Sequence, residues 1–159
     1  MVGTWSVGED ANGNRFWRGT GPRDYPQAWL GVDASTWTDY AFESRIRFVN
    51  GTVFICARTY EHGSAFYTAY VDSGEDWVSF AEYDGSDFLS FGGVGRNIRP
   101  DEWYTIRFEL KGDSLRLYIN DTLAMTGQRQ GRVQGGVGYY MGGGEEIHLD
   151  DIRIWGLTT

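Results

Sequence analysis

The sequence predicts an all-β chain built as two antiparallel sheets, and three observations predict it. Apolar and polar residues alternate with period two, in runs cut by turn dipeptides every ten or so residues. The chain carries 7 Trp, 10 Tyr and 9 Phe among 159 residues, with 23 Gly and only 3 Pro. That composition suits short strands joined by tight turns. Nowhere does an i, i+3, i+4, i+7 apolar stripe run long enough to make a helix. At 159 residues the chain fits one domain, 1–159, and can bury roughly two-thirds of its unfolded surface.

Taken in order, Trp5–Val7 and Phe16–Trp17 flank Asn12-Gly13 and read as a hairpin. Tyr40–Val49 and Thr52–Arg58 flank Asn50-Gly51, the strongest short hairpin signal because both turn positions want positive φ. Further strands follow at Phe66–Val71, Trp77–Tyr83, Phe88–Phe91, Trp103–Leu110, Ser114–Ile119, Thr122–Met125, Gly136–Tyr140 and Ile147–Trp155. Asp84-Gly85, Lys111-Gly112-Asp113 and Asn120-Asp121 supply turns between several of them. So many strands in one domain close as a sandwich or a barrel. The last strand favours two sheets. Ile147 and Leu149 share one parity, Ile152 and Ile154 the other, so both pairs reach the core only with a β-bulge at Asp150-Asp151. Without a bulge, one apolar pair covers the outer face.

Charge removes several classes of function. Fourteen basic and 22 acidic residues give a net charge of −8 and a pI near 4.7, which disfavours a nucleic-acid partner. No apolar run approaches the ~20 residues of a membrane helix, so no membrane insertion is expected. Met-Val-Gly-Thr-Trp at the start has neither a basic nor an apolar signal region. Cys56 is the single cysteine, so neither an intrachain disulfide nor a thiolate–metal cluster is possible.

Two segments carry a resemblance. Trp103 to Leu110, the Lys-Gly-Asp turn and Leu115 to Asp121 resemble the hairpin of concanavalin A-like jelly rolls of laminin-G type. His148 to Trp155 resembles the closing strand of the same superfamily, and Asp39–Arg58 with Phe66–Asp72 is similar in order and spacing. The resemblance implies a two-sheet antiparallel jelly-roll sandwich. Members of that superfamily include sugar-binding and adhesion modules and some glycoside hydrolases, so it implies architecture more than activity.

A sugar site needs a flat aromatic beneath the C–H face and a few polar groups for the hydroxyls. Alternation puts Val53, Ile55 and Ala57 inward, leaving Phe54, Cys56 and Arg58 outward. The same parity turns Phe66, Thr68 and Tyr70 outward, and likewise Trp77, Ser79, Ala81 and Tyr83. Phe66, Tyr70, Trp77 and Tyr83 are therefore expected to stack on a glycan, with Arg58 donating to its oxygens. The alternative is that a long loop, or the Trp-rich N-terminal region (Trp17, Trp29, Trp37), covers this face as part of the core.

For metals, Asp10–Asn14 has oxygens at alternate positions but Gly21 where an EF-hand loop wants Glu, so it reads as a turn. The superfamily resemblance implies a structural calcium near the closing strand, at Asp150; Asp39, at the mouth of its own strand, is the expected second ligand. The alternative is that Asp150 accepts backbone amides at the bulge. Glu146, His148 and Asp150 alternate along one strand, an arrangement similar to the carboxylate row of the superfamily's retaining hydrolases. It lacks the second Glu after the Asp, and the strand is the last rather than a central one. His62 sits in a loop, Cys56 in an apolar strand, and the sequons at Asn50 and Asn120 coincide with turns. The expected function is a non-catalytic, lectin-like module binding a glycan or polysaccharide, within a larger extracellular protein. The alternatives are a calcium-stabilised adhesion module and a glycoside hydrolase.

Overall fold

The computed structural model describes residues 3–21, 27–30, 36–61, 63–142 and 145–158. The strands are β1 (Thr4–Glu9), β2 (Arg15–Gly21), β3 (Gln27–Leu30), β4 (Tyr40–Asn50), β5 (Thr52–Tyr60), β6 (Ala65–Asp72) and β7 (Trp77–Tyr83). They continue with β8 (Phe88–Gly95), β9 (Trp103–Lys111), β10 (Ser114–Ile119), β11 (Thr122–Gln128), β12 (Gly136–Met141) and β13 (Glu145–Gly156). One sheet runs β1-β2-β13-β4-β9-β10-β11 and the other β3-β12-β5-β6-β7-β8. Every described pairing is antiparallel.

The alternation that located the strands also fills the space between the sheets. Phe42, Ile46 and Phe48 of β4 and Ile106 and Phe108 of β9 meet Val53, Ile55, Ala69, Val71, Val78 and Phe80 of the opposite sheet. Phe80 stacks on Phe108 at 5.6 Å, and Phe42 meets Tyr139 at 5.1 Å. One side of the sandwich is closed by β11 against β7 and β8. There the Arg129 guanidinium donates twice to Glu82 Oε2, at 2.9 and 2.7 Å.

Asn50-Gly51 is not a hairpin. β4 lies in the seven-stranded sheet and β5 in the six-stranded one, so this dipeptide turns the chain from one layer to the other. Only Gly51 is left-handed, at φ +91°, and a Cβ there would collide with the Glu145 side chain. Asn120-Asp121, which joins β10 to β11, does have positive φ at both adjacent turn positions, at 50° and 58°. β3 has no counterpart in the sequence reading.

The expected bulge is present. Pairing of β13 with β4 passes from Asp150↔Arg45 to Arg153↔Glu43, one residue extra on β13, and Asp151 takes φ +47°. Ile147 and Leu149 are core, and Ile152 and Ile154 pack against the same core from the other parity.

Candidate functional site

The two outer faces of the sandwich differ in kind. On the seven-stranded face the charges neutralise one another. Arg107 reaches Glu43, Glu109 and Asp121 at 2.9–3.3 Å, its guanidinium 4.3 Å from the Tyr118 ring centroid. Arg47 pairs with Asp101 at 2.9 Å, and Arg45 lies over Trp103.

The row proposed for hydrolysis also sits there. Glu146 accepts two hydrogen bonds from Arg18, at 2.7 and 2.9 Å, and lies 2.8 Å from His148 Nε2. The Arg18 hydrogen bonds pull the Glu146 carboxyl down to about 2. His148 is buried, stacked on Phe16 at 4.2 Å. Asp150 accepts from Asn14 Nδ2 and from the Asp151 amide. Both carboxylates are therefore already engaged by neighbours, Glu146 by Arg18 and Asp150 by Asn14.

The six-stranded face is aromatic. Phe66, Tyr83 and Phe88 are cross-strand neighbours on β6, β7 and β8, with centroids 4.7–5.9 Å apart. Phe54, Tyr70 and Tyr140 form a second row at 4.9–5.3 Å spacing. Between the rows lie small side chains, Cys56, Thr68 and Ala81, all buried. Phe88 bridges the rows, 5.3 Å from Phe54 and 6.2 Å from Tyr140. From the edge strand of a flat sheet it could not reach across β7 and β6, so the β7–β8 end curls over this face. Trp29 covers the other flank, its ring where a Cβ on Gly138 or Gly63 would fall and its centroid 5.5 Å from Phe66.

The expected ligand residues therefore separate. Phe66, Tyr70 and Tyr83 join the aromatic face, with Phe66 only 1% exposed beneath its neighbours. Trp77 stays open at 42% exposure, its indole against Gly93 of β8. Beside it is a polar group. Asp72 is the cross-strand partner of Trp77, and its Oδ2 accepts the Tyr70 hydroxyl at 2.7 Å. Burial, with that carboxylate adjacent, pushes the Tyr70 phenol up to about 12. Burial alone would raise the Asp72 carboxyl, but hydrogen bonds from Tyr70 and the Glu75 and Gly74 amides hold it below the usual range. Glu145 joins this group through Thr52, and burial together with the Asp72 charge raises its carboxyl.

Arg58 is a correction. Alternation puts it on the aromatic face, but β5 bulges between Ala57 and Tyr60 and Arg58 takes φ +48°. Its side chain is 1% exposed. It donates to the Thr38, Gly112 and Arg132 carbonyls at 2.7–3.3 Å, tying three loops together.

The calcium pair is a second correction. Asp39 accepts the Gly112 amide at 2.9 Å and lies 3.6 Å from Arg58. The register sets Tyr40 opposite Gly156 and Arg45 opposite Asp150, so Asp39 and Asp150 stand about 20 Å apart along β4. They do not fit one ion. Among the described residues no three His, Cys, Asp or Glu side chains group as a metal site. His62 lies outside the described residues.

Sequence reasoning left out Phe88, Tyr140 and Glu145, and named Trp29 only within the Trp-rich region that would cover the face. Tyr140 was within reach, since Val137, Tyr139 and Met141 take the opposite parity.

No protein-family model matches the sequence, and no curated protein matches it. Solved structures do. The carbohydrate-binding module CBM66 from Bacillus subtilis superposes with TM-score 0.76 at 20% identity, over 96% of this chain and 91% of that one. Caenorhabditis elegans galectin LEC-6 gives 0.64 at 12%, over 87% and 95%. Alginate lyase A1-II′, of polysaccharide lyase family 7, gives 0.66 at 9%, over 99% and 86%. With two antiparallel sheets superposing on these structures over most of its length, the chain has the concanavalin A-like jelly-roll sandwich fold.

Proposed function

We propose that the chain is a non-catalytic carbohydrate-binding module, acting as part of a larger extracellular protein. One observation carries the reading: a half-open tryptophan, Trp77, stands on an aromatic sheet face beside the hydrogen-bonding Tyr70 and Asp72. An exposed indole offers a sugar a flat apolar surface, and oriented carboxylate and phenol oxygens accept or exchange hydroxyl hydrogen bonds. The fold likeness to a carbohydrate-binding module and to galectins supports the same reading. The clamp of Arg18 on Glu146, which keeps that carboxyl ionised down to about pH 2 and so unsuited to donate a proton, speaks against a two-carboxylate hydrolase on the opposite face.

A glycan array, followed by titration of the best hit, tests it. Trp77→Ala is expected to weaken binding at least about tenfold, by loss of the stacking surface, while far-UV circular dichroism stays that of the folded chain. Full affinity in that variant would remove Trp77 from the site. Because alginate lyases share the fold, each bound glycan is also incubated with the protein, and shortened chains would refute the non-catalytic half.

A further inference from the structure

We infer that the aromatic face takes uncharged glycans and turns away acidic ones. This rests on the carbohydrate-binding reading above and names its ligand class. Across the described residues of β3, β12, β5, β6, β7 and β8 and the turns joining β5 to β8, Arg58 is the single Lys or Arg. Its guanidinium is buried and committed to three carbonyls. The acidic side chains on the same elements include Asp72, Glu75, Asp84 and Asp87. Glu145 adds a carboxylate at the Tyr70–Asp72 end.

A uronate or sulfate ester seated on Trp77 would lie beside Asp72, its cross-strand partner, with no free cation on the described strands of that sheet to receive it. Like charges brought together in this way oppose binding, and partial burial strengthens the effect. A neutral sugar meets no such penalty, because its hydroxyls donate to the carboxylate oxygens in charge-assisted hydrogen bonds. Of the other arginines, Arg18, Arg45, Arg47 and Arg107 lie on the opposite face in pairs with acids, and Arg129 and Arg132 pair with Glu82. Arg96, which follows the Trp77 partner Gly95, donates its guanidinium to the Ala124 carbonyl of β11.

The test measures affinity for a panel of neutral polysaccharides and for alginate and polygalacturonate, at about 20 mM and 300 mM salt. The best neutral polymer is expected to bind at least about tenfold tighter than either polyuronate at low salt, with the gap narrowing as salt screens the repulsion. The double variant Asp72→Asn/Glu145→Gln keeps an acceptor oxygen at each site and is expected to narrow the gap at low salt. Polyuronate bound as tightly as any neutral polymer by the wild-type chain overturns the inference and leaves the carbohydrate reading standing. A gap insensitive to salt also overturns it, and needs only the wild-type protein. Failure to bind any polymer on the panel or any array glycan overturns the carbohydrate reading, and this inference falls with it.

Discussion

Replacing Arg58 with methionine separates its two possible roles. Methionine keeps much of the apolar stem and removes the charge and every donor. In the native chain Nη1 donates to Gly112 O at 2.8 Å and to Arg132 O at 2.7 Å, while Nε and Nη2 reach Thr38 O at 3.3 and 3.1 Å. Hydrogen bonds from a charged donor contribute about 1.5–3 kcal/mol each, though not additively. Breaking a buried, charge-bearing network costs about 3–5 kcal/mol. The side chain is 1% exposed, so little solvent replaces what is lost. A destabilisation of about 4 kcal/mol follows, a drop in Tm of roughly 8–16 °C for a chain of this size. Thermal unfolding followed by circular dichroism measures it. Arg58→Lys, with a single ammonium for three loops, should fall between. At 20 °C the folded methionine variant should keep its glycan affinity. A Tm within about 2 °C of wild type, with glycan binding lost, would refute the reasoning and return Arg58 to the ligand face.

Two other outcomes are expected. Gly93→Ala places a methyl where the Trp77 indole now lies, within 2.5 Å of ring carbon Cζ2, so the ring must lift. Glycan affinity should fall about tenfold with little change in Tm; an unchanged affinity would mean the ligand does not use the Trp77 surface as positioned. The third concerns acid. Glu146 is held at about 2, against an ordinary value of 4.5, chiefly by Arg18. A depressed carboxylate stabilises the fold above its unfolded value and loses that contribution as pH falls through the folded one. The Tm difference between wild type and Arg18→Gln should therefore be present at pH 5 and shrink toward pH 2, modestly because the pair is solvent-exposed. A difference constant over that range would refute the assignment.

Much of the architecture was legible because a strand's alternation is a local property. Val53, Ile55, Val78 and Phe80 had to share a face with one another, and any packed solution turns that face inward. The Asp150-Asp151 bulge was legible for the same reason, as a parity conflict between two apolar pairs. The aromatic composition of the outer face could be read too, through Phe66, Tyr70, Trp77 and Tyr83.

What the sequence left undecided all depends on distances along the chain that no local pattern reports. Asn50-Gly51 announces a sharp turn, and turn chemistry is the same whether the next strand joins the same sheet or the opposite one. Arg58 was lost to one left-handed residue, which reverses parity for everything after it and drives a guanidinium toward three carbonyls supplied by distant loops. Asp39 and Asp150 were set apart by the register of β13 on β4. Whether the aromatic face is open was decided by Phe88 curling across it and Trp29 covering its flank, leaving Trp77 exposed. The sequence by itself determined which residues share a face, because side-chain direction follows from backbone geometry. The tertiary structure decided which of them stay open to a ligand, because covering a face requires contacts between segments that only the closed sandwich brings together.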